Sequence, residues 1–311
     1  MQIEDELAQF SPPQETLLTI GVFDGVHLGH KFLISELVSL ATRQNLLSCV
    51  ITFRQHPLDL LSPKNKLLYL CSVPERIQLL KNEGVDIVAA LTFNRELAKL
   101  SARDFVGLLQ KHLKMRGLVV GPDFTLGRNR EGNAEVLHSL GKEMGFTVTI
   151  IAPKIIDGEV ASSTAIRQAL AEGNVEKVTR LLGRPFSLLS KVVSGEHRGT
   201  GLGFPTVNLS IDAKMALPPD GVYATRAYIG GREYQAVTNI GKRPTFGANN
   251  ERTIEAFILN YNQDVYGKEV KIKIIQRLRE EKAFDNVEEL KQQIAEDVKR
   301  GAAILNTQGR E

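Results

Sequence analysis

Tryptophan is absent from this 311-residue chain, cysteine occurs twice and methionine four times. Two cysteines, Cys49 and Cys71, without a C-x-x-C spacing fit a reducing interior better than secretion. They read as small buried hydrophobes in a reducing compartment. No uncharged apolar run reaches the roughly 18 residues of a membrane span, and the start does not resemble a secretory signal. A cytoplasmic protein without membrane contact is expected. An excess of one charge is lacking too: the net charge is +3, with neither half forming a basic arm. Nucleic-acid binding therefore finds no electrostatic support. What the chain does have is 42% hydrophobic residues, enough for ordinary packed cores, over a length that favours about two domains.

The stretch richest in chemistry is Gly21-Val22-Phe23-Asp24-Gly25-Val26-His27-Leu28-Gly29-His30. Residues 17–20 before it read as a buried strand, and residues 32–38 after it have helical spacing, so the layout is strand, glycine-rich turn, helix. Amides at a helix start attract anions, and glycines let a phosphate approach the backbone. His27 and His30 lie on one side of the turn, where ring N–H groups can hold phosphate oxygens. Half of a zinc site and a purely structural turn are the competing readings, but no third ligand accompanies the histidine pair. Phosphate binding is favoured, with Gly21, Phe23, Asp24, Gly25 and Gly29 as its cradle.

Residues 1–16 are polar, contain Pro12-Pro13, and read as a lead-in rather than a core element. Strands are expected at 46–53, 85–93, 117–121 and 146–151, and helices at 74–82, 102–113 and 135–144. Near-continuous apolar strands alternating with helices indicate a parallel sheet covered on both faces, whose ligands bind beyond the carboxyl ends of the strands. His56 and Asp123 stand at two such ends. Ser162-Ser163-Thr164 followed by Arg167 is either a plain helix cap or a second phosphate grip, in which arginine adds a charge-assisted contact. A helix at 174–182 closes on Gly183 before Pro185, which places the domain boundary there, giving 1–185 and 186–311.

Beyond the boundary, short runs at 188–193, 221–229, 234–240, 253–261 and 270–278 alternate with turn residues, indicating a small barrel or sandwich. A final amphipathic helix over 287–302 carries Leu290, Ile294 and Val298 on one stripe. Residues 199–208 contain Gly199, Gly201 and Gly203 and read either as a plain hairpin loop or as a phosphate loop. Thr206 and Asn208 share a face if extended, and both offer neutral oxygens of the kind magnesium accepts alongside phosphates. Glu255 stands in a row with Phe257 and Leu259, either paired off structurally or held for general-base work.

As ordered sets these motifs resemble the prokaryotic bifunctional riboflavin kinase/FMN adenylyltransferase family. The first set is Gly21 to His30, Thr52-Phe53…His56-Pro57, Gly121-Pro122-Asp123-Phe124 and Ser162 to Arg167; it is similar to the family's adenylyltransferase half, a Rossmann-like nucleotidyltransferase domain. The second includes Leu182-Gly183-Arg184-Pro185-Phe186, Gly203 to Leu209, Asp220 to Ala224, Asn239 to Gly247, Tyr266-Gly267-Lys268 and Leu278 to Phe284; it is similar to the riboflavin kinase half, an antiparallel β-barrel with a C-terminal helix. The resemblance implies that His27, His30 and Arg167 contact ATP phosphates, with Ser162, Ser163 and Thr164 closing over them. It implies that His56, Asp123, Phe124 and Arg279 line nucleotide or flavin pockets, that Gly201 and Gly203 face ATP, that Thr206 and Asn208 hold Mg2+, and that Glu255 is the catalytic base. Riboflavin, FMN, FAD and ATP are the implied substrates and products; a homo-oligomer is left open. Gln55, Leu126, Val207, Phe257 and Asn260 depart from the family pattern, Val207 adding two methyls beside the metal pair. Gln55 and Leu126 touch pocket detail, whereas Val207, Phe257 and Asn260 motivate an alternative, a monofunctional FMN adenylyltransferase with an impaired kinase barrel. A non-catalytic flavin-binding regulator is a third reading.

Overall fold

The computed structural model describes residues 3–62, 64, 67–194, 203–210, 212–242 and 252–307. The chain divides into two units, Met1–Ser163 and Thr164–Glu311.

In the first unit, β1 (Thr16–Ile20), β2 (Leu47–Phe53), β3 (Ile87–Leu91), β4 (Met115–Val120) and β5 (Thr147–Ile150) form a parallel sheet in the order β3-β2-β1-β4-β5. Every residue of β1 is buried, as expected of a strand covered on both faces. Alternate residues serve different cores. Leu18 and Ile20 join Phe105 and Leu109 of α5 (Ala102–Leu113) and Leu137 of α6 (Ala134–Met144), whereas Leu17 joins Ile34 and Leu37 of α2 (Leu28–Arg43) and Leu80 of α4 (Val73–Asn82). Chain order reverses between β1 and β4, so the turn after β1 lies at the topological switch point where open α/β sheets bind ligands.

One expectation fails in this unit. Residues 1–16 are not merely a lead-in: α1 (Ile3–Ala8) buries Ile3 and Leu7 in the core shared with α5, and Glu6 accepts a 2.8 Å hydrogen bond from the Thr92 amide. The expected strands and longer helices are otherwise present, with the addition of α3 (Pro57–Leu61) and a small hairpin of β6 (Ile155–Ile156) and β7 (Glu159–Val160).

In the second unit, which takes in all of α7 (Ser163–Ala171) but its first residue, α7 and α8 (Val175–Leu182) precede β8 (Phe186–Val193), β9 (Thr206–Leu209), β10 (Gly221–Ile229), β11 (Arg232–Lys242), β12 (Arg252–Ile258) and β13 (Glu269–Glu280). These strands close as an antiparallel barrel in the order β10-β11-β12-β9-β8-β13, so the barrel rather than the sandwich is found. The unit begins ahead of Pro185 because α8 buries Val175, Val178, Leu181 and Leu182 and packs on β8 and β13. The last helix, α9 (Val287–Thr307), lies on β10, β11 and β13.

Candidate active sites

The turn after β1 is strained. Phe23 has φ 52° and Val26 φ 40°, although both carry a Cβ and Val26 is β-branched. Such conformations cost about 1–3 kcal/mol each and persist where surrounding contacts hold them, commonly at functional sites. Both side chains are buried, and the Val26 amide donates to the Phe23 carbonyl at 3.1 Å. The glycines here make room. A Cβ on Gly21 would stand 3.0 Å from the Phe23 ring, and one on Gly29 would stand 2.7 Å from the Ala161 carbonyl oxygen.

His27 caps α2, its Nδ1 accepting from the His30 amide at 3.3 Å. That bond assigns the single proton of a neutral His27 ring to Nε2, leaving Nε2 as the donor. The His27 and His30 rings stack with centroids 3.5 Å apart, and Phe23 meets His30 edge-on at 5.1 Å. Among the described residues no group of three or more His, Cys, Asp or Glu has the arrangement of a metal site.

The segment at 161–163 comes against this turn. Besides the close approach of Ala161 to Gly29, the Ser163 hydroxyl donates to the Asp24 carbonyl at 2.9 Å. Asp24 itself is 1% exposed, and its carboxylate accepts from the Leu70 amide at 3.0 and 3.1 Å and from the Cys71 amide at 3.3 Å. Its side chain therefore ties the 70–71 segment to the turn. The Gly25 amide donates to Cys71 Sγ at 3.2 Å. Burial pushes the Cys49 and Cys71 thiols up to about 12.

Sequence reasoning missed Arg76 of α4, which is wholly buried. Its Nη1 donates to the Val22 carbonyl at 2.7 Å and its Nη2 to the Phe53 carbonyl at 2.6 Å. Burial lowers its pKa from the ordinary value, yet an arginine in a protein stays charged. The available signal was a cation one helical turn from Leu79 and Leu80 on an otherwise apolar face.

Of the expected pocket residues, His56 caps α3 through Nδ1, and its amide donates to the Tyr69 hydroxyl at 2.7 Å. Asp123 is exposed beyond the end of β4, and Phe124 is half-buried against the core. Gln55, standing where the family pattern has proline, ties the end of β2 to the Phe93 carbonyl at 2.8 Å; Leu126 packs into the core.

In the barrel, Asn208 of β9 pairs with Glu255 of β12, and Thr206 pairs with Phe257. Directly paired residues point to the same face, so Thr206, Asn208 and Glu255 converge on one patch, flanked by Asn239 opposite Glu255 on β11. The row around Glu255 is thus not wholly apolar. Val207 pairs with the small, buried Ala256 and points to the other face, so its methyls do not crowd Thr206 and Asn208. Phe257 meets Phe204 edge-on at 5.4 Å, and Asn260 lies in the turn after β12 at φ 56°, a conformation asparagine tolerates well.

Arg279, expected at a nucleotide or flavin pocket, pairs with the last helix. Its Nε and Nη2 donate to Asp297 of α9 at 2.8–3.1 Å and its Nη1 to the Glu280 carbonyl at 2.9 Å. Gly203 lies three residues ahead of the first residue of β9, whereas Gly199, Gly201 and the 243–247 part of the family motif lie outside the described residues.

Residues 9–165 match the family model of FAD synthetase and residues 182–305 that of riboflavin kinase. The bifunctional riboflavin kinase/FMN adenylyltransferase of Escherichia coli is 37% identical over 289 residues, 92% of each chain. Its Haemophilus influenzae counterpart is 34% identical over 296 residues, 94% of this chain and 96% of that protein. A Streptococcus pneumoniae crystal structure described as a macrolide-efflux protein is 33% identical, with a TM-score of 0.84 over 93% of this chain and 94% of that one. Among the described residues here, no helix is long and apolar enough to cross a membrane.

Proposed function

Because this chain belongs to the family of bifunctional riboflavin kinase/FMN adenylyltransferases, we propose that residues 186–311 carry its kinase step and residues 1–185 its adenylyl transfer. The enzyme makes FMN from riboflavin and ATP, then FAD and pyrophosphate from FMN and ATP. The observation behind the allocation is that two different family models fall on separate stretches of chain with separate folds, a parallel α/β sheet and a closed barrel.

In the kinase step, riboflavin's terminal ribityl hydroxyl is a poor nucleophile at neutral pH. Glu255 takes its proton as the oxygen attacks the γ-phosphorus of ATP and ADP leaves. The Thr206 hydroxyl and Asn208 carboxamide have the neutral oxygen chemistry to hold Mg2+ beside the phosphates, and their shared face with Glu255 fits that role. The ion, when bound, offsets charge on the triphosphate. Gly201 and Gly203 are assigned to the ATP loop of this half.

Adenylyl transfer has a different need. The FMN phosphate is already largely anionic, its second pKa being about 6, so no base is required. Its oxygen attacks the α-phosphorus of ATP and pyrophosphate leaves. We assign His27, His30, Arg167 and the turn amides to the developing oxygen charge, with Ser162, Ser163 and Thr164 closing the phosphate grip. The His27 Nε2–H donor and the contact of 161–163 with the turn support this reading. His56, Asp123 and Phe124 are assigned to the nucleotide pocket, and the free cysteines favour a cytoplasmic site of action.

The test is incubation of pure protein with riboflavin, ATP and magnesium, resolving the flavins. FMN and FAD should both form; neither forming would overturn the reading. Glu255→Gln should abolish FMN formation yet leave FMN-to-FAD conversion, and His30→Ala should slow only the second step, by roughly a hundred- to thousand-fold. Loss of both steps in either variant would show the allocation to be wrong.

A further inference from the structure

Among the described residues, the largest side chain that is wholly buried is not an aromatic or a leucine but Arg76. A buried guanidinium is costly to desolvate, and neutral donors would suffice merely to cap two carbonyls. Its two targets are specific. The Phe53 carbonyl lies at the end of β2, and the Val22 carbonyl lies inside the turn that follows β1, so the planar fork bridges two adjacent central strands at their ligand-binding ends. The Val22 oxygen also accepts from the Thr52 hydroxyl at 2.9 Å. Two donors on one oxygen fix the plane of the Val22–Phe23 peptide. That peptide leads directly into Phe23 at φ 52°, whose ring lies over Gly21 and meets the edge of His30, which is stacked in turn on His27.

We propose that Arg76 is a positioning residue for adenylyl transfer: by clamping the Val22 carbonyl together with Thr52, it holds the strained turn and, through Phe23, sets the His30 ring against phosphate. The inference rests on the assignment of His27 and His30 to the ATP phosphates. Arg76 touches no reacting atom. Its contribution is expected in the alignment of the transition state rather than in the affinity for ATP.

The experiment uses the whole 311-residue chain with Arg76→Lys, Thr52→Val and the double variant, measuring kcat and KM for FMN-to-FAD conversion. Riboflavin-to-FMN turnover of the same preparations serves as an internal control. Lysine keeps the charge but cannot span both carbonyls. Misplacement of a catalytic group by about 1 Å can cost 100-fold, so Arg76→Lys should lower the adenylyl-transfer kcat by at least about tenfold, with the KM for ATP within about threefold. Thr52→Val should lower kcat by about threefold, and the double variant should fall no further than Arg76→Lys, because both changes act on one carbonyl. The proposal is overturned if kcat in Arg76→Lys stays within about twofold of the parent, if the loss lies in KM, or if the two losses multiply. Should Arg76→Lys lose its folded transition, Thr52→Val decides alone, an unchanged kcat counting against the proposal. A parent enzyme that makes no FAD from FMN would instead remove the reading on which the proposal stands.

Discussion

The Asp24 carboxyl lies where water does not reach it, and the amides of Leu70 and Cys71 donate to it. Burial acts on the neighbouring thiol as well. Cys71, like Cys49, is held protonated by burial, its pKa pushed from 9.0 up to about 12. In the unfolded chain both thiols lose their protons near pH 9, while the folded chain keeps them until about pH 12. Their contribution to stability is therefore fully present below pH 9 and is lost as pH rises toward 12, by about 1.4 kcal/mol per thiol per pH unit. Urea unfolding followed at pH 8 and pH 10.5 should show a falling midpoint, and replacing both cysteines with alanine should flatten the fall. An equal slope in that variant would assign the alkaline loss to other groups. At this scale the sequence disclosed residue types but not partners. Asp24 is visible in its motif, yet Leu70 lies 46 positions away and nothing local links them.

Helix α9 illustrates what periodicity does and does not carry. The stripe Leu290, Ile294 and Val298 predicts an amphipathic helix correctly, but these residues are only half-buried. The fully buried line is Asp297, Gly301 and Leu305, at the same spacing but displaced around the helix. A charged residue and a glycine do not announce a contact face. Asp297 is buried because Arg279 meets it with a bidentate pair, and Gly301 because a Cβ there would stand 2.9 Å from Val237. Helix α1 is hard to read from sequence for a similar reason, since two apolar residues in a polar stretch make a weak pattern until α5 is beside them. The Arg279–Asp297 pair is largely shielded, with side-chain exposures of 19% and 6%. Breaking such a pair by removing one partner costs about 3 kcal/mol or more, against less than 1 for a surface pair. Asp297→Ala should lower the unfolding free energy by that amount and make the segment after Phe284 more susceptible to limited proteolysis. A loss below about 1 kcal/mol would mean that apolar packing alone fixes α9.

At the scale of the whole molecule, one chain carries two transfers in series, the product of the first being the nucleophile of the second. Alternation of strands and helices made the first fold legible in the sequence, regular short strands narrowed the second to a barrel or a sandwich, and the two motif sets made both chemistries legible. The division between units was less so, because α8 ends in a conventional glycine cap yet packs on the barrel. Thr206, Asn208 and Glu255 belong to the second unit, and the histidine turn with Ser162 and Ser163 to the first. If each set serves one step, FMN released into solution is a sufficient link between them. Mixing Glu255→Gln protein with His30→Ala protein should then convert riboflavin to FAD, although neither variant does so efficiently alone. The His30→Ala chains make FMN and the Glu255→Gln chains adenylylate it, so FAD should appear after a lag that shortens as the concentration of the His30→Ala chains is raised. No FAD in the mixture, although the Glu255→Gln chains convert added FMN and the FMN made stays bound to the His30→Ala chains, would instead require that the phosphorylated flavin pass to the second site of the chain that made it.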